Sequence, residues 1–187
     1  MAETDLDLVR GALDGLERAF QELVRRYERP VFSVILRLVR DPSRAEELAQ
    51  DAFVKAFLRL ETYAKEKKFS NWLLAIAHHT AIDDVRRGAV RTTPFDEAPQ
   101  DCLAQSCDDE TPYRITERHE LATVLDEAVR HLRPDYAELI TLKYEQDLTL
   151  EDVAEITGLP AGTIKSSLHR ARKELADYLR RRGWSGT

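Results

Sequence analysis

The residues best equipped for intermolecular chemistry lie near the C-terminal end. There Gly162, Thr163, Lys165, Ser166, His169, Arg170, Arg172 and Lys173 flank an apolar stripe of Ile164, Leu168, Ala171 and Leu175. At about 100° per residue, Gly162, Ser166, His169, Arg170 and Lys173 cluster opposite that stripe, with Thr163, Lys165 and Arg172 beside them. Cationic side chains on such a face pair with phosphates, short polar ones reach base edges, and a glycine lets the start of a helix approach a nucleic-acid backbone closely. Between Thr163 and Arg182 seven basic residues stand against two acidic ones, so the net charge of -6 conceals a basic end. A charge run is usually a solvated helix face. Here it comes with a turn and caps, which together spell a duplex-reading element.

Two further groups can act on partners. The loop Tyr63-Ala64-Lys65-Glu66-Lys67-Lys68-Phe69 interleaves cations with aromatic rings, the combination that holds unstacked bases beside a phosphate backbone. His79, Asp83 and Arg86 follow at i, i+4 and i+7 on one side of the next helix and can line the same path. Trp72 is either core or a stacking platform. Upstream, Glu46, Glu47, Gln50 and Asp51 make an exposed acidic and amide edge that suits a basic protein surface. His78 and His79 with Asp83 and Asp84 invite a metal assignment, but adjacent histidines point about 100° apart on a helix and cannot face one ion. Cys102 and Cys107 share one polar stretch and supply too few ligands for structural zinc. No metal or cofactor is expected.

These groups need helices to position them. From Leu16 to Val39 the residues Phe20, Leu23, Val24, Tyr27, Val31, Val34, Ile35 and Leu38 recur at helical spacing, with a kink expected at Pro30. Ser43 with Glu46 has capping-box spacing for a helix whose buried stripe is Ala45, Leu48, Ala49, Ala52, Phe53, Ala56, Phe57 and Leu60. Another helix is predicted from about Asn71 to Arg87 with Ser70 as its N-cap. Between Pro94 and Pro112 the pattern gives way to Asp96, Glu97, Asp101, Asp108, Asp109 and Glu110 with no Lys or Arg, which reads as a linker. Periodicity resumes through Leu121, Val124, Leu125, Ala128 and Leu132, breaks at Arg133-Pro134-Asp135, and returns at Tyr136, Leu139, Ile140 and Tyr144. Thr149 with Asp152 forms another capping box, Leu150, Val153, Ala154 and Ile156 give the inward side of a short helix, Gly158 makes the turn, and Pro160 falls in the first turn of the next helix. Two helices so joined are a helix-turn-helix.

The fold class expected is all-α, as two small helical domains: residues 1–91, a linker over 92–112, and residues 113–187. Hydrophobic residues at 43% and charged residues at 33% of 187 fit amphipathic helices. No apolar run approaches a membrane span, and the acidic start lacks the order of a signal peptide, so a cytoplasmic location is expected. The sequence carries no glycine-rich phosphate loop, nucleophile elbow or ligand-spaced cluster, which argues against an enzyme using His78, His79, Asp83 and Asp84. A helix-turn-helix alone remains compatible with a transcriptional regulator whose N-terminal half senses or dimerises.

The N-terminal half separates the two readings. The run Arg40-Asp41-Pro42-Ser43-Arg44-Ala45-Glu46-Glu47-Leu48-Ala49-Gln50-Asp51-Ala52-Phe53 resembles the segment with which sigma factors grip the polymerase clamp. Phe69-Ser70-Asn71-Trp72-Leu73-Leu74-Ala75-Ile76-Ala77, with Asp83 and Arg86-Arg87, resembles their promoter-melting segment, and Gly162 to Arg172 resembles their recognition helix. In this order the three motifs resemble the extracytoplasmic-function group of the primary sigma family along nearly the whole chain. The resemblance implies a non-enzymatic initiation factor that binds core RNA polymerase through Asp41, Glu46, Glu47, Gln50 and Asp51. It implies capture of the melted minus-ten strand by Tyr63, Lys65, Lys67, Lys68, Phe69, Asn71, Trp72, His79, Asp83, Arg86 and Arg87. Minus-thirty-five duplex would be read by the eight residues from Gly162 to Lys173 named first. Many relatives have Asn where His79 stands, so no base preference carries over. The linker is either a tether or a strand threading the polymerase channels near nascent RNA. An anti-sigma partner is implied, because no inhibitory segment in cis is evident.

Overall fold

A computed structural model describes residues 3–89 and 112–184; the linker and both cysteines lie outside the described residues. The first helix, α1 (Asp5–Leu13), was not foreseen in the sequence, although Thr4 and Asp7 cap it reciprocally. Asp5 ties it to α2 (Glu17–Val39) by accepting from Arg26 at 3.0 Å and from the Tyr27 hydroxyl. α2 runs through Pro30 as one 23-residue element and buries Leu23, Val31, Val34, Ile35 and Leu38. α3 (Pro42–Leu58) starts at Pro42, and its N-cap is Asp41, which accepts from Arg44 N at 3.0 Å. The expected Ser43–Glu46 box is therefore displaced, since a proline is already suited to the first helical position and an Asp precedes it. α4 (Phe69–Ala89) likewise begins two residues early and takes Ser70 into its first turn.

The C-terminal lobe comprises α5 (Pro112–His131), α6 (Pro134–Ile140) running into a π-helical turn Thr141–Glu145, α7 (Leu150–Thr157) and α8 (Ala161–Arg181). Among the described residues there is no strand, and no helix is long and apolar enough to cross a membrane. The lobes are not independent. α2 packs on α6 and α4 packs on α7, and buried side chains from Leu8 to Ala171 form one continuous cluster.

The reason lies in α4. Its buried residues Phe69, Asn71, Leu73, Leu74, Ala77, Thr80 and Ala81 span an arc of about 200°, twice the usual amphipathic stripe, so one side meets α2 and α3 while another meets α7. The buried polar side chains among the described residues are Arg37, Asn71, Thr80, Glu138, Thr141 and Asp152, and all but Thr80 lie where the lobes meet. Each is matched. Arg37 donates to Asp126 at 2.7 Å, Glu145 at 3.0 Å and Thr141 at 3.2 Å. His78 Nδ1 meets Glu138 Oε1 at 2.5 Å. The π turn widens the backbone where Thr141 and Glu145 reach Arg37, with Gln146 N donating to Thr141 O at 3.0 Å.

Candidate nucleic-acid interface

The helix-turn-helix is built by local chemistry. Thr149 N donates to Asp152 Oδ2 at 3.0 Å while Asp152 N donates to Thr149 Oγ1 at 3.1 Å, which starts α7. Gly158 ends it at φ 70, a left-handed conformation that other residues rarely adopt. Pro160 occupies the N-cap of α8 rather than its first turn, with extended ψ of 140. Ile164, Leu168 and Ala171 are buried, which turns the opposite side outward. As expected, Gly162, Thr163, Lys165, Ser166, His169, Arg170, Arg172 and Lys173 are all exposed. A Cβ at Gly162 would meet nothing within 4 Å, so no neighbour among the described residues requires a glycine there. A close approach to something outside the chain would.

The corner expected from the sequence to capture a melted strand is arranged differently from that expectation. Tyr63 and Phe69 are buried, with rings 5.5 Å apart edge to face, and Tyr27 packs on Phe69 at the same separation. Both rings are therefore core, not stacking surfaces; burying them returns more free energy than an exposed loop position would. With the rings turned inward, the loop exposes Lys65, Lys67 and Lys68 together with Ala64 and Glu66. Asn71 is buried too, at 2% exposure.

Trp72 packs in the aromatic cluster and also borders open space. Its ring lies 5.5 Å from Tyr63 and 5.7 Å from Phe69, and it also lines a cleft of about 350 Å³ with Lys55, Arg59, Ala75, Ile76, His79, Thr80 and Asp83. That volume falls within the usual range of ligand pockets. Lys55 of α3 and Arg59, the residue that caps its C-terminus, went unrecognised in the sequence, where they are simply cations one turn apart outside the apolar stripe. Lys55 Nζ donates to the buried Thr80 Oγ1 at 3.1 Å. His79 Nδ1 is 2.6 Å from the Ala75 carbonyl. A carbonyl only accepts, so Nδ1 carries the proton and Nε2 remains for a partner. His78 turns away toward Glu138, its ring at 85° to that of His79, and no metal-holding cluster occurs among the described residues. Arg86 and Arg87 are exposed further along α4.

On α3, Asp41, Glu46, Glu47, Gln50 and Asp51 are all exposed along one edge. Asp41 is partly engaged as the cap, and Arg44 links Glu47 to Asp84 of α4, holding the Asp84 carboxyl below the usual range. Four charged or amide groups beside exposed Val54 and Leu58 make a surface with acidic and apolar parts.

The loop cations face α7. Lys68 Nζ lies 2.9 Å from Asp152, Asn71 Nδ2 donates to Asp152 at 2.7 Å and Glu155 at 3.0 Å, and Lys67 pairs with Glu155. Desolvation works to raise the Asp152 carboxyl, yet hydrogen bonds from Asn71, Lys68 and Thr149 together hold it far below the ordinary carboxylate range. Glu155 is lowered chiefly by its bond from Lys67 and then by Asn71.

An all-helical chain with an outward basic recognition helix and a cation-lined cleft on a second lobe defines a helix-turn-helix nucleic-acid-binding protein. Comparison with known proteins narrows the class. Residues 23–91 match the family model for sigma-70 region 2, and residues 122–175 match that for sigma-70 region 4. The RNA polymerase sigma-H factor of Pseudomonas aeruginosa is 30% identical over 178 residues, 92% of each chain. The ECF RNA polymerase sigma-E factor of Haemophilus influenzae is 30% identical over 186 residues, 96% of this chain and 98% of its own. The fold is shared with the sigma factor RpoE of Bartonella quintana, solved with the anti-sigma factor NepR, at a TM-score of 0.68 and 22% identity over 86% of this chain and 96% of that one. The chain belongs to the sigma-70 family of RNA polymerase sigma factors, in its extracytoplasmic-function group.

Proposed function

We propose that this sigma factor works through three separate surfaces and performs no covalent chemistry of its own. The α3 edge of Asp41, Glu46, Glu47, Gln50 and Asp51 binds core RNA polymerase. The cleft and its rim, with Lys65, Lys67, Lys68, Asn71, Trp72, His79, Asp83, Arg86 and Arg87, take the melted minus-ten strand, and Lys55 and Arg59 join them as phosphate or base-edge partners. Tyr63 and Phe69 act indirectly, by holding Trp72 at the cleft. The face of α8 from Gly162 to Lys173 reads the minus-thirty-five duplex. Residues 1–91 and 113–187 are the two functional domains, joined by 92–112.

The observation that carries the reading is the exposed recognition face of α8, eight polar or glycine positions opposite a buried apolar stripe. Phosphate contacts from Lys165, Arg170, Arg172 and Lys173 would set register, leaving Ser166 and His169 for base edges. An anti-sigma factor is a further expected partner, as the Bartonella relative was solved with one, and the cytoplasm is the expected location. The test is reconstitution. Purified chain added to core polymerase should direct initiation from defined start sites on a genomic library, and a preparation that programmes no start site would remove the proposal.

A further inference from the structure

Part of the rim assigned to the melted strand, Lys67, Lys68 and Asn71, is occupied by the chain itself. Asp152 accepts from Lys68 at 2.9 and 3.1 Å and from Asn71 at 2.7 Å, and Glu155 accepts from Asn71 at 3.0 Å and from Lys67. Both carboxylates sit on α7, the first helix of the helix-turn-helix. A carboxylate offers lysine and amide donors the same thing a phosphodiester offers: an anion with two acceptor oxygens. The duplex-reading face of α8, by contrast, is exposed throughout.

We propose that α7 is an intramolecular mimic of the DNA backbone: Asp152 and Glu155 hold the anion positions that phosphates of the melted strand would take. The free chain thus masks its strand-capturing corner while leaving its duplex-reading face open. This rests on the strand-capture reading given above. It also supplies inhibition in cis, which the sequence alone does not reveal because the inhibitory groups sit inside the DNA-reading unit.

The rest of the lobe contact joins the shared apolar cluster to a set of polar pairs that water can replace. Besides the α7 carboxylates it carries Arg37 with Asp126, Thr141 and Glu145, Ser33 with Glu145 at 3.0 Å, Arg40 with the Leu132 carbonyl, and His78 with Glu138. Buried ion pairs contribute little net stability compared with apolar packing of the same volume, because each charge is well hydrated once exposed. Interfaces between domains that move are polar in this way. When polymerase engages the lobes at separate places, every one of these groups can return to water and the loop lysines are freed.

The test uses the full chain, with a fluorescein-labelled mixed-sequence single strand and its duplex as probes. Asp152→Asn with Glu155→Gln keeps shape and removes charge; Glu155→Gln alone spares the α7 cap should the double variant fold poorly. The expected result is a gain of about tenfold in single-strand affinity for the double variant, a smaller gain for Glu155→Gln, duplex affinity within twofold of the parent, and a larger radius of gyration by small-angle scattering. Unchanged strand affinity with an unchanged radius would overturn the mimicry. Expansion without a gain in strand affinity would overturn it differently, by showing that the freed corner is not where the strand binds.

Discussion

His78 and Glu138 give the sharpest test of how the two lobes are joined. They belong to α4 and α6, stand 2.5 Å apart, and have side chains only 11% and 5% exposed. Replacing His78 by Leu leaves the Glu138 carboxylate buried without this donor, and breaking a buried pair on one side costs about 3–5 kcal/mol. If that cost fell on global unfolding, the thermal midpoint would drop by roughly 6–20 °C at 2–4 °C per kcal/mol. If the lobe contact is reversible as inferred above, separating the lobes is the cheaper escape, since it hydrates Glu138 without unfolding either lobe. The closed-to-open ratio of His78→Leu should therefore fall by about a hundredfold or more, at tenfold per 1.4 kcal/mol.

Small-angle scattering reads this directly. A compact chain of this length has a radius of gyration of about 16 Å, and His78→Leu should exceed the parent while retaining its helix content by circular dichroism. Adding Glu138→Leu should restore compactness, since two apolar side chains in place of a buried pair are close to neutral. The cycle is strongly non-additive on this reasoning. A His78→Leu variant as compact and as heat-stable as the parent, or a double variant no more compact than the single, would refute it.

Other expectations follow from the remaining surfaces. Asp51→Arg reverses a charge on the exposed α3 edge and should abolish co-purification with core polymerase while duplex binding persists; unchanged co-purification would remove Asp51 from that surface. Ser166, His169 and Lys173 changed together to Ala should lose promoter selectivity, the base contacts of Ser166 and His169 being worth about 1–3 kcal/mol each and Lys173 adding a positioning contact to phosphate, and run-off products identical to the parent's would count against them. His79→Ala should weaken open-complex formation more than closed-complex binding, because its free Nε2 borders the cleft and not the recognition helix; permanganate footprinting separates the two. Asp152 is held below its ordinary range in the folded chain, so its contribution is present above the unfolded value of about 3.9 and is lost as pH falls through the folded one. The difference in thermal midpoint between parent and Asp152→Asn should accordingly be full at pH 7 and shrink below about pH 4; a gap that widens on acidification would contradict the sign.

Apart from α1, missed despite its Thr4–Asp7 box, the helices were legible because their periodicity depends on residues three or four apart. Thr149 with Asp152, Gly158, and the Ile164–Leu168–Ala171 stripe were readable as a helix-turn-helix, and the exposed face of α8 followed from its period alone. Where two local signals competed the reading slipped by a residue or two, as at Asp41 against Ser43 and at Pro160. The cleft was legible only in part: His79, Asp83 and Trp72 lie on one helix, but Lys55 and Arg59 come from another. The aromatic rings of the loop went astray because composition cannot say which way a ring turns, and Tyr63 and Phe69 turn inward onto Tyr27.

Thus the sequence by itself determined the all-helical class, the exposed polar face of α8 and the family. Only the tertiary structure decided which charges meet. Arg37 with Glu145 and Lys68 with Asp152 are separated by 108 and 84 positions, and no period or cap spans such distances. Burial of an ionic side chain depends on a partner's arriving at the same place, and that is settled when α4, buried around about half its circumference, finds α7.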